Sequence, residues 1–404
     1  NYIHSLRVTP LFDAHQVEIT VAGEGQCTID LEGKRFTFPA GVPAHVPVQS
    51  FRPWSPEHPT LYPFSVTLGD DTVYSYFAMR KCSVETDKDG VRRLFLNGKP
   101  YFHNGLLDQG YWPDGLYTAP SDDALVYDIQ LAKDMGFNML RKHAKIEPER
   151  FYYHCDQLGM LVWQDMVNGG SAYKHWFVTY LATLMNWNHI SFSDDEKHAG
   201  LLSRLHPEGK DEFRREITET IAFLYNHPSI VVWVPFNEGW GQFDALAVCE
   251  QIRTLDSSRL VDHASGWFDQ KGGDILSLHY YFLKLKFKPE SKRAAALTEF
   301  GGYSLSIPGH SCCKKVYGYK KFNSTGTLTY GYIDLIRQTI LPAVKKGIGA
   351  TVYTQLSDIE EETNGIYTYD REICKIDPDT LRKWNRALKE AGECKTYADH
   401  TTDH

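Results

Sequence analysis

The sequence predicts two domains, an all-β sandwich over residues 1–87 and a (β/α)8 barrel over 88–404. Three observations carry this. A chain of 404 residues is too long for one ordinary hydrophobic core. Its first part alternates apolar and polar residues in short runs with no helical period. After the charged stretch Glu85-Thr86-Asp87-Lys88-Asp89-Gly90 the pattern becomes strand, helix, strand, helix, which belongs to a parallel sheet covered by helices.

In the first part, strands are expected at 6–11, 16–21, 27–31, 64–68 and 73–77. Gly23-Glu24-Gly25, Gly33-Lys34 and Gly69-Asp70-Asp71 supply the turns. The three prolines between Arg52 and Pro59 rule out a central strand, so that stretch is a loop. Eight barrel strands are expected at 93–96 with 101–107, 137–143, 160–164, 230–236, 259–264, 275–279, 295–299 and 348–354. Ser121 reads as an N-cap backed by Asp122 and Asp123, and Gly136 closes that helix. Pro148 opens a second, with Phe151, Cys155 and Leu158 on one face and Gly159 at its end. Further helices are expected at 211–225, 243–255, 330–346 and 378–391.

Composition is that of a globular protein, and the net charge of -8 argues against a nucleic-acid partner and for a small neutral one. No apolar run reaches the roughly 18 residues of a membrane span. The start, Asn1-Tyr2-Ile3-His4, carries neither an initiator Met nor a signal peptide and reads as a fragment or processed piece. The eight cysteines are scattered, without zinc spacing, so no metal or other cofactor is expected. A Cys27–Cys82 disulfide is conceivable, but so many thiols favour a reducing cytoplasm. Homo-oligomerisation is left open.

Two stretches carry chemistry. Val231-Val232-Trp233-Val234 reads as a strand buried on both faces, and it ends in Asn237-Glu238-Gly239. Ala295-Ala296-Leu297-Thr298 repeats that grammar and ends in Glu299-Phe300-Gly301-Gly302. Glu238 and Glu299 would then stand across one barrel mouth, after strands 4 and 7. Two strand-end glutamates suit a retaining glycosidase, one giving a proton to the leaving oxygen and the other attacking the anomeric carbon. The bland reading of Glu238 is a carboxylate facing a helix macrodipole. In the long loop after strand 3, about 167–208, Trp176, Tyr180 and Leu184 sit at helical spacing. They read as the core face of an inserted helix rather than as a sugar-stacking wall; Phe177 and Trp187 lie beside them. Trp112, outside any periodic element, is the better wall candidate.

These residues resemble glycoside hydrolase family 2, the β-galactosidases, β-glucuronidases and β-mannosidases. Trp54-Ser55-Pro56-Glu57-His58-Pro59-Thr60-Leu61-Tyr62 and Phe77-Ala78-Met79-Arg80-Lys81 resemble the late strands of, and the exit from, that family's immunoglobulin-like domain. Asn138 to His143 and Leu161 to Asp165 resemble its barrel strands 2 and 3. The resemblance implies Glu238 as acid/base, Glu299 as nucleophile and Asn237 as the ligand of the sugar 2-hydroxyl. It also implies Tyr281 (or Tyr280) and Arg141 beside the nucleophile, with His143, Asp165 and His279 around the sugar. Arg141 and Asp165 pairing with each other, and a structural hydrogen bond for His143, are the ordinary alternatives. The family usually carries a jelly-roll domain ahead of these two, and this chain starts after that place. No tryptophan ends strand 8, and no Asn-x-Lys follows the nucleophile, which weakens a uronic acid substrate. Lys314, Lys315, Lys320 and Lys321 are expected in a solvated loop.

The leading expectation is therefore a retaining exo-β-glycosidase, β-galactosidase-like, with its carboxyl groups about 5–5.5 Å apart. Alternatives are a β-glucuronidase, β-galacturonidase or β-mannosidase of the same family, or a non-catalytic carbohydrate-binding fragment. From another class comes a metal-dependent barrel hydrolase using His103, His143, Asp165 and His279.

Overall fold

The structure is a computed structural model that describes residues 2–187, 190, 192–281 and 285–393. Cys394 and the side chain of Trp187 fall outside the described residues. Seven antiparallel strands form two facing sheets at the N-terminus. One holds Ser5–Leu11, Gln16–Ala22 and Ala44–Pro47; the other, in spatial order, Lys34–Pro39, Gln26–Leu31, Tyr62–Leu68 and Asp71–Phe77. Strand alternation sends Val17, Ile19 and Val21 inward from one sheet and Cys27, Ile29 and Leu31 from the other. This is the expected immunoglobulin-like sandwich. Cys27, in its core, and Cys82, outside it, are both free thiols.

Eight parallel strands then build the barrel. They are His103–Asp108, Met139–Lys142, Leu161–Asp165, Ile230–Val234, Leu260–Val261, Ile275–Tyr280, Ala294–Gly301 and Ile348–Thr354, called barrel strands 1 to 8. Backbone ladders join strands 5-4-3-2-1-8-7-6 in that order. Strands 5 and 6 share no ladder. Their seam is closed by Asp274 N–H donating to Val261 O (2.8 Å) and by side chains, Ser277 Oγ to Asp262 (2.9 Å) and to Ser265 Oγ (3.2 Å).

Three expectations are corrected here. The run near 93–96 does not enter the barrel. Arg92–Leu96 pairs with Cys82–Thr86 and Lys99–Pro100 in a separate three-stranded sheet, and Leu94 packs in one cluster with Met139, Leu161 and Ile275. The signal was Asn97-Gly98, both at positive φ (55° and 75°), a two-residue hairpin turn between Leu96 and Lys99. This sheet spans the expected domain boundary at 87. Strand 5 shrinks to Leu260–Val261. In the strand 3 loop, Trp176, Tyr180 and Leu184 are exposed, while Phe177, Val178 and Ala182 are buried. The segment Trp176–Leu181 is a π-helix, whose wider turn rotates the buried face away from the four-residue spacing.

The helix expected at 330–346 starts earlier, at Thr325, and passes through a π-helical stretch at Ile336–Ile340; the other helices follow their signals. Ser121 Oγ accepts from Ala124 N (3.2 Å) ahead of Asp122–Asp134, and Gly159 closes Glu149–Leu158 in a left-handed conformation. Pro207–Leu224, Ala245–Leu255, Thr325–Leu335 and Pro378–Gly392 cover the barrel. The sandwich is fastened to it by the proline-rich loop. Trp54, fully buried, donates its indole N–H to Asp156 O (2.9 Å), and Arg80 donates to Pro228, Ser258 and Ile230 carbonyls. Trp54→Ala should therefore cost about 3–5 kcal/mol, read as a lowered urea midpoint. A loss under about 1 kcal/mol would show the ring to be dispensable.

Candidate active site

Every strand of a parallel barrel delivers its last residues to one rim, and the polar residues of this rim converge. Strand 2 brings Arg141 and His143, strand 3 Asp165, strand 4 Asn237 and Glu238, strand 6 His279 and Tyr281, and strand 7 Glu299. Arg141 lies at the centre, fully buried. Its Nε and Nη2 grip Asp165 at 3.0 Å each, Nη1 donates to Glu299 Oε1 (3.1 Å) and Thr298 O (3.0 Å), and Nη2 donates to Asn237 Oδ1 (2.9 Å). A guanidinium removed from water needs such partners, and the bidentate geometry to Asp165 fixes its plane. The pairing of Arg141 with Asp165 and its contact with Glu299 thus occur together.

Glu299 takes its second hydrogen bond, at Oε2, from the Tyr281 hydroxyl. Gly301 and Gly302, at φ 95° and 61°, turn the chain away behind it. Asn237 has its Oδ1 held by Arg141. His143 Nδ1 meets Asp165 Oδ2 at 2.8 Å. Burial would lower the His143 pKa, but the Asp165 carboxylate outweighs it and the net shift is upward.

Glu238 is held differently. Beyond strand 4, Asn237 bridges to Ser265 and Glu238 N–H donates to Ser265 O (2.9 Å). Glu238 then adopts φ 51°, a left-handed conformation costing roughly 1–2 kcal/mol in a non-glycine residue. Gly239 continues the reversal at φ 72°, where a Cβ would come within 2.3 Å of the Phe268 ring. Burial raises the Glu238 carboxyl to about 7. Its partner is His279, whose Nδ1 lies 2.8 Å from Glu238 Oε1 and whose own pKa burial lowers to about 4, so the ring is neutral near pH 7. The Trp240 indole N–H lies near the same carboxylate without hydrogen-bond geometry. Carboxylate oxygens of Glu238 and Glu299 lie within 4.8 Å of each other, with a His279 nitrogen inside the same radius.

One expected site residue stands elsewhere. Trp112 is 5% exposed, belongs to the main core and carries the Arg371 guanidinium 4.2 Å above its ring. It is packing, not a sugar wall. The His103, His143, Asp165, His279 ligand set does not assemble either. His103 opens strand 1 and takes the Trp163 indole N–H at 3.0 Å, while His143 and His279 serve different carboxylates. Sequence reasoning missed Tyr319, which stacks on Tyr281 (centroids 4.1 Å apart), and Glu362. Both arrive on loops without periodicity; a tyrosine flanked by lysines gave no hint of turning inward. The four lysines of that loop, Lys314, Lys315, Lys320 and Lys321, are exposed.

A (β/α)8 barrel with a sandwich ahead of it, and two buried-side glutamates facing across its mouth, is the framework of a glycoside hydrolase. The family model "Glycosyl hydrolases family 2, TIM barrel domain" matches residues 90–340, and "Glycosyl hydrolases family 2" matches 1–80. The chain belongs to glycoside hydrolase family 2. It is 26% identical over 422 residues to a β-galactosidase of Leuconostoc mesenteroides, covering 98% of this chain and 36% of that protein. A putative β-glucuronidase of Formosa agariphila is 30% identical over 193 residues, 46% of this chain and 19% of that one. Among solved structures, a β-D-glucuronidase of Dictyoglomus thermophilum superposes with TM-score 0.70 at 15% identity, over 95% of this chain and 69% of that one. The chain thus spans about a third or less of these curated relatives' length. Among the described residues no helix is long and apolar enough to cross a membrane.

The Glu238 environment has a kinetic signature. A general acid must hold its proton in the free enzyme, and Glu238 loses it as pH rises through about 7. We expect kcat/KM for a β-glycoside to fall about tenfold per pH unit above that point. In Glu238→Gln, activity on a substrate with a good leaving group should persist without the alkaline limb. A limb kept in the variant would assign the ionisation to another group.

Proposed function

We propose that the chain is the catalytic portion of a retaining exo-β-glycosidase acting on neutral sugars, β-galactosides first. The observation that carries this is the approach of Glu238 and Glu299 to within 4.8 Å in unlike surroundings. That spacing suits direct attack and leaves no room for the water of an inverting enzyme, whose carboxyl groups stand about 6.5–9.5 Å apart.

In the proposed cycle, Glu299 attacks the anomeric carbon while protonated Glu238 gives its proton to the glycosidic oxygen, and the aglycone leaves. As Glu299 gives up its charge to the new bond, Arg141 stays compensated by Asp165, so the nucleophile's neighbour is not left unpaired. Water then enters, Glu238 takes its proton, and attack on the anomeric carbon releases the sugar and restores Glu299. His279, neutral and with Nδ1–H toward Glu238 Oε1, holds Glu238 in place in both protonation states, since that oxygen still accepts when the other carries the proton. Asn237 is oriented by Arg141 to bind the 2-hydroxyl, where hydrogen bonds strengthen in the transition state. The name of the Leuconostoc relative and the lack of an uncommitted cation at this mouth among the described residues support a neutral sugar over a uronic acid.

The test is a panel of aryl β-glycosides (galactoside, glucoside, mannoside, glucuronide, galacturonide), with Glu299→Gln beside the parent. Turnover of the galactoside is expected, with kcat reduced roughly 10⁴-fold or more in the variant. NMR should show the β-anomer of the sugar as the first product, by retention. The α-anomer appearing first would refute the double displacement.

A further inference from the structure

Beyond the catalytic pair, a third carboxylate stands at the mouth. Glu362 lies in the loop after strand 8. Tyr317 and Ile359 pair with it through isolated backbone bridges, so its backbone is fixed from two sides. Its Oε2 accepts from Gln355 Nε2 (2.9 Å) and Gln109 Nε2 (3.4 Å). Those two amides are themselves joined, Gln109 Nε2 to Gln355 Oε1 at 2.9 Å, and Gln355 Nε2 also reaches Asn364 Oδ1 at 2.8 Å. Gln109 follows strand 1 and Gln355 follows strand 8, so Glu362 is mounted on the side of the barrel away from strands 4 and 5. Its Oε1 takes no hydrogen bond from a described residue. Glu238, Glu299 and His143 all lie within its electrostatic reach.

The charges around it are unequal. Arg141 is spent on Asp165, Glu299 and Asn237, and His143 is paired with Asp165. Lys142 and Lys145 are held by Asp108 and Glu147. Of the rim's described carboxylates only Asp165 is fully spent on Arg141 and His143, while Arg141, His143, Lys142 and Lys145 each have an acidic partner. In the proposed pose the anomeric carbon lies between Glu238 and Glu299 and the 2-hydroxyl on Asn237, which leaves the strand 8 and strand 1 side, where Glu362 is mounted, for the far end of the sugar. A carboxylate oxygen there is an acceptor for hydroxyl donors and a repellent for anions.

We propose that Glu362 selects the sugar: its free Oε1 accepts a hydroxyl from the C4–C6 end of a neutral non-reducing residue, and its charge rejects a C6 carboxylate. This rests on the glycosidase reading of the site and narrows its substrate class.

The experiment compares the parent, Glu362→Gln and Glu362→Lys, each checked for an unchanged thermal midpoint. It measures kcat/KM on aryl β-galactoside and β-galacturonide, and calorimetric binding of galactose and galacturonate. The two sugars differ only at C6, so their ratio reads what Glu362 does at that carbon, hydroxyl acceptance and charge together. In Glu362→Gln the galactoside-to-galacturonide ratio should fall roughly 100-fold, the size of one like-charge contact in a half-buried site. Most of the galactoside loss should fall in KM. In Glu362→Lys galacturonate should bind more tightly than galactose. A ratio unchanged within about threefold in both variants overturns the assignment. If the parent turns over no glycoside, the catalytic reading fails. The binding ratios still decide Glu362, because they need no turnover: a shift toward galacturonate in the variants upholds it, and equal ratios overturn it.

Discussion

The guanidinium of Arg141 ties together residues from strands 2, 3, 4 and 7 through five hydrogen bonds, with no exposed surface of its own. An ion so placed forgoes hydration worth several kcal/mol at least. Only carboxylates already fixed by the barrel restore it. Asp165 compensates the charge permanently; Glu299 does so as well while it remains an anion. That redundancy means Glu299 can lose its charge without leaving Arg141 unpaired. The same cation orients Asn237, so one buried group sets the positions of both the Glu299 carboxylate and the Asn237 amide.

The two glutamates gain opposite characters from their backbones. Glu299 is the sixth residue of an eight-residue strand, held flat against Arg141 and Tyr281. Glu238 stands past the end of its strand, turned by a left-handed residue into an apolar setting of Trp240 and His279. Burial beyond the strand end thus raises the proton affinity of the Glu238 carboxyl, while Glu299 is set apart by its hydrogen bonds to Arg141 and Tyr281.

Much of this was legible in the residues. Val231 to Val234 and Ala295 to Thr298 announce strands buried on both faces, and the glycines after Glu238 and Glu299 mark where the chain must turn. Arg141, His143, Asp165 and Tyr281 come from strands of recognisable period, and they met as expected. What was not legible came from elements whose pattern does not encode direction. Arg92–Leu96 has the alternation of any strand, and only Asn97-Gly98 told hairpin from barrel. Trp112 looked like a free aromatic because the cation above it, Arg371, is distant in sequence. The helix at Trp176–Leu181 broke the 3.6-residue period on which the expected face depended. Tyr319 and Glu362 lie on loops whose path is set by tertiary contacts such as the Tyr317–Glu362 bridge, and no local rule reports these.

The unladdered seam between strands 5 and 6 joins these threads. Elsewhere the ring is held by main-chain hydrogen bonds, which tolerate little displacement. Here a single main-chain bond, Asp274 N–H to Val261 O, is joined by hydroxyls: Ser265, Ser277 and Thr298 form a chain of contacts between 2.6 and 3.2 Å, and His279 Nε2 lies 3.2 Å from Ser265 Oγ. Side-chain hydroxyls carry much of this joint, so its closure depends on residue identity where the rest of the ring relies on the main chain. The joint lies directly behind the imidazole that steadies Glu238. One buried hydroxyl network thus serves both the closure of the ring and the setting of the imidazole that holds Glu238.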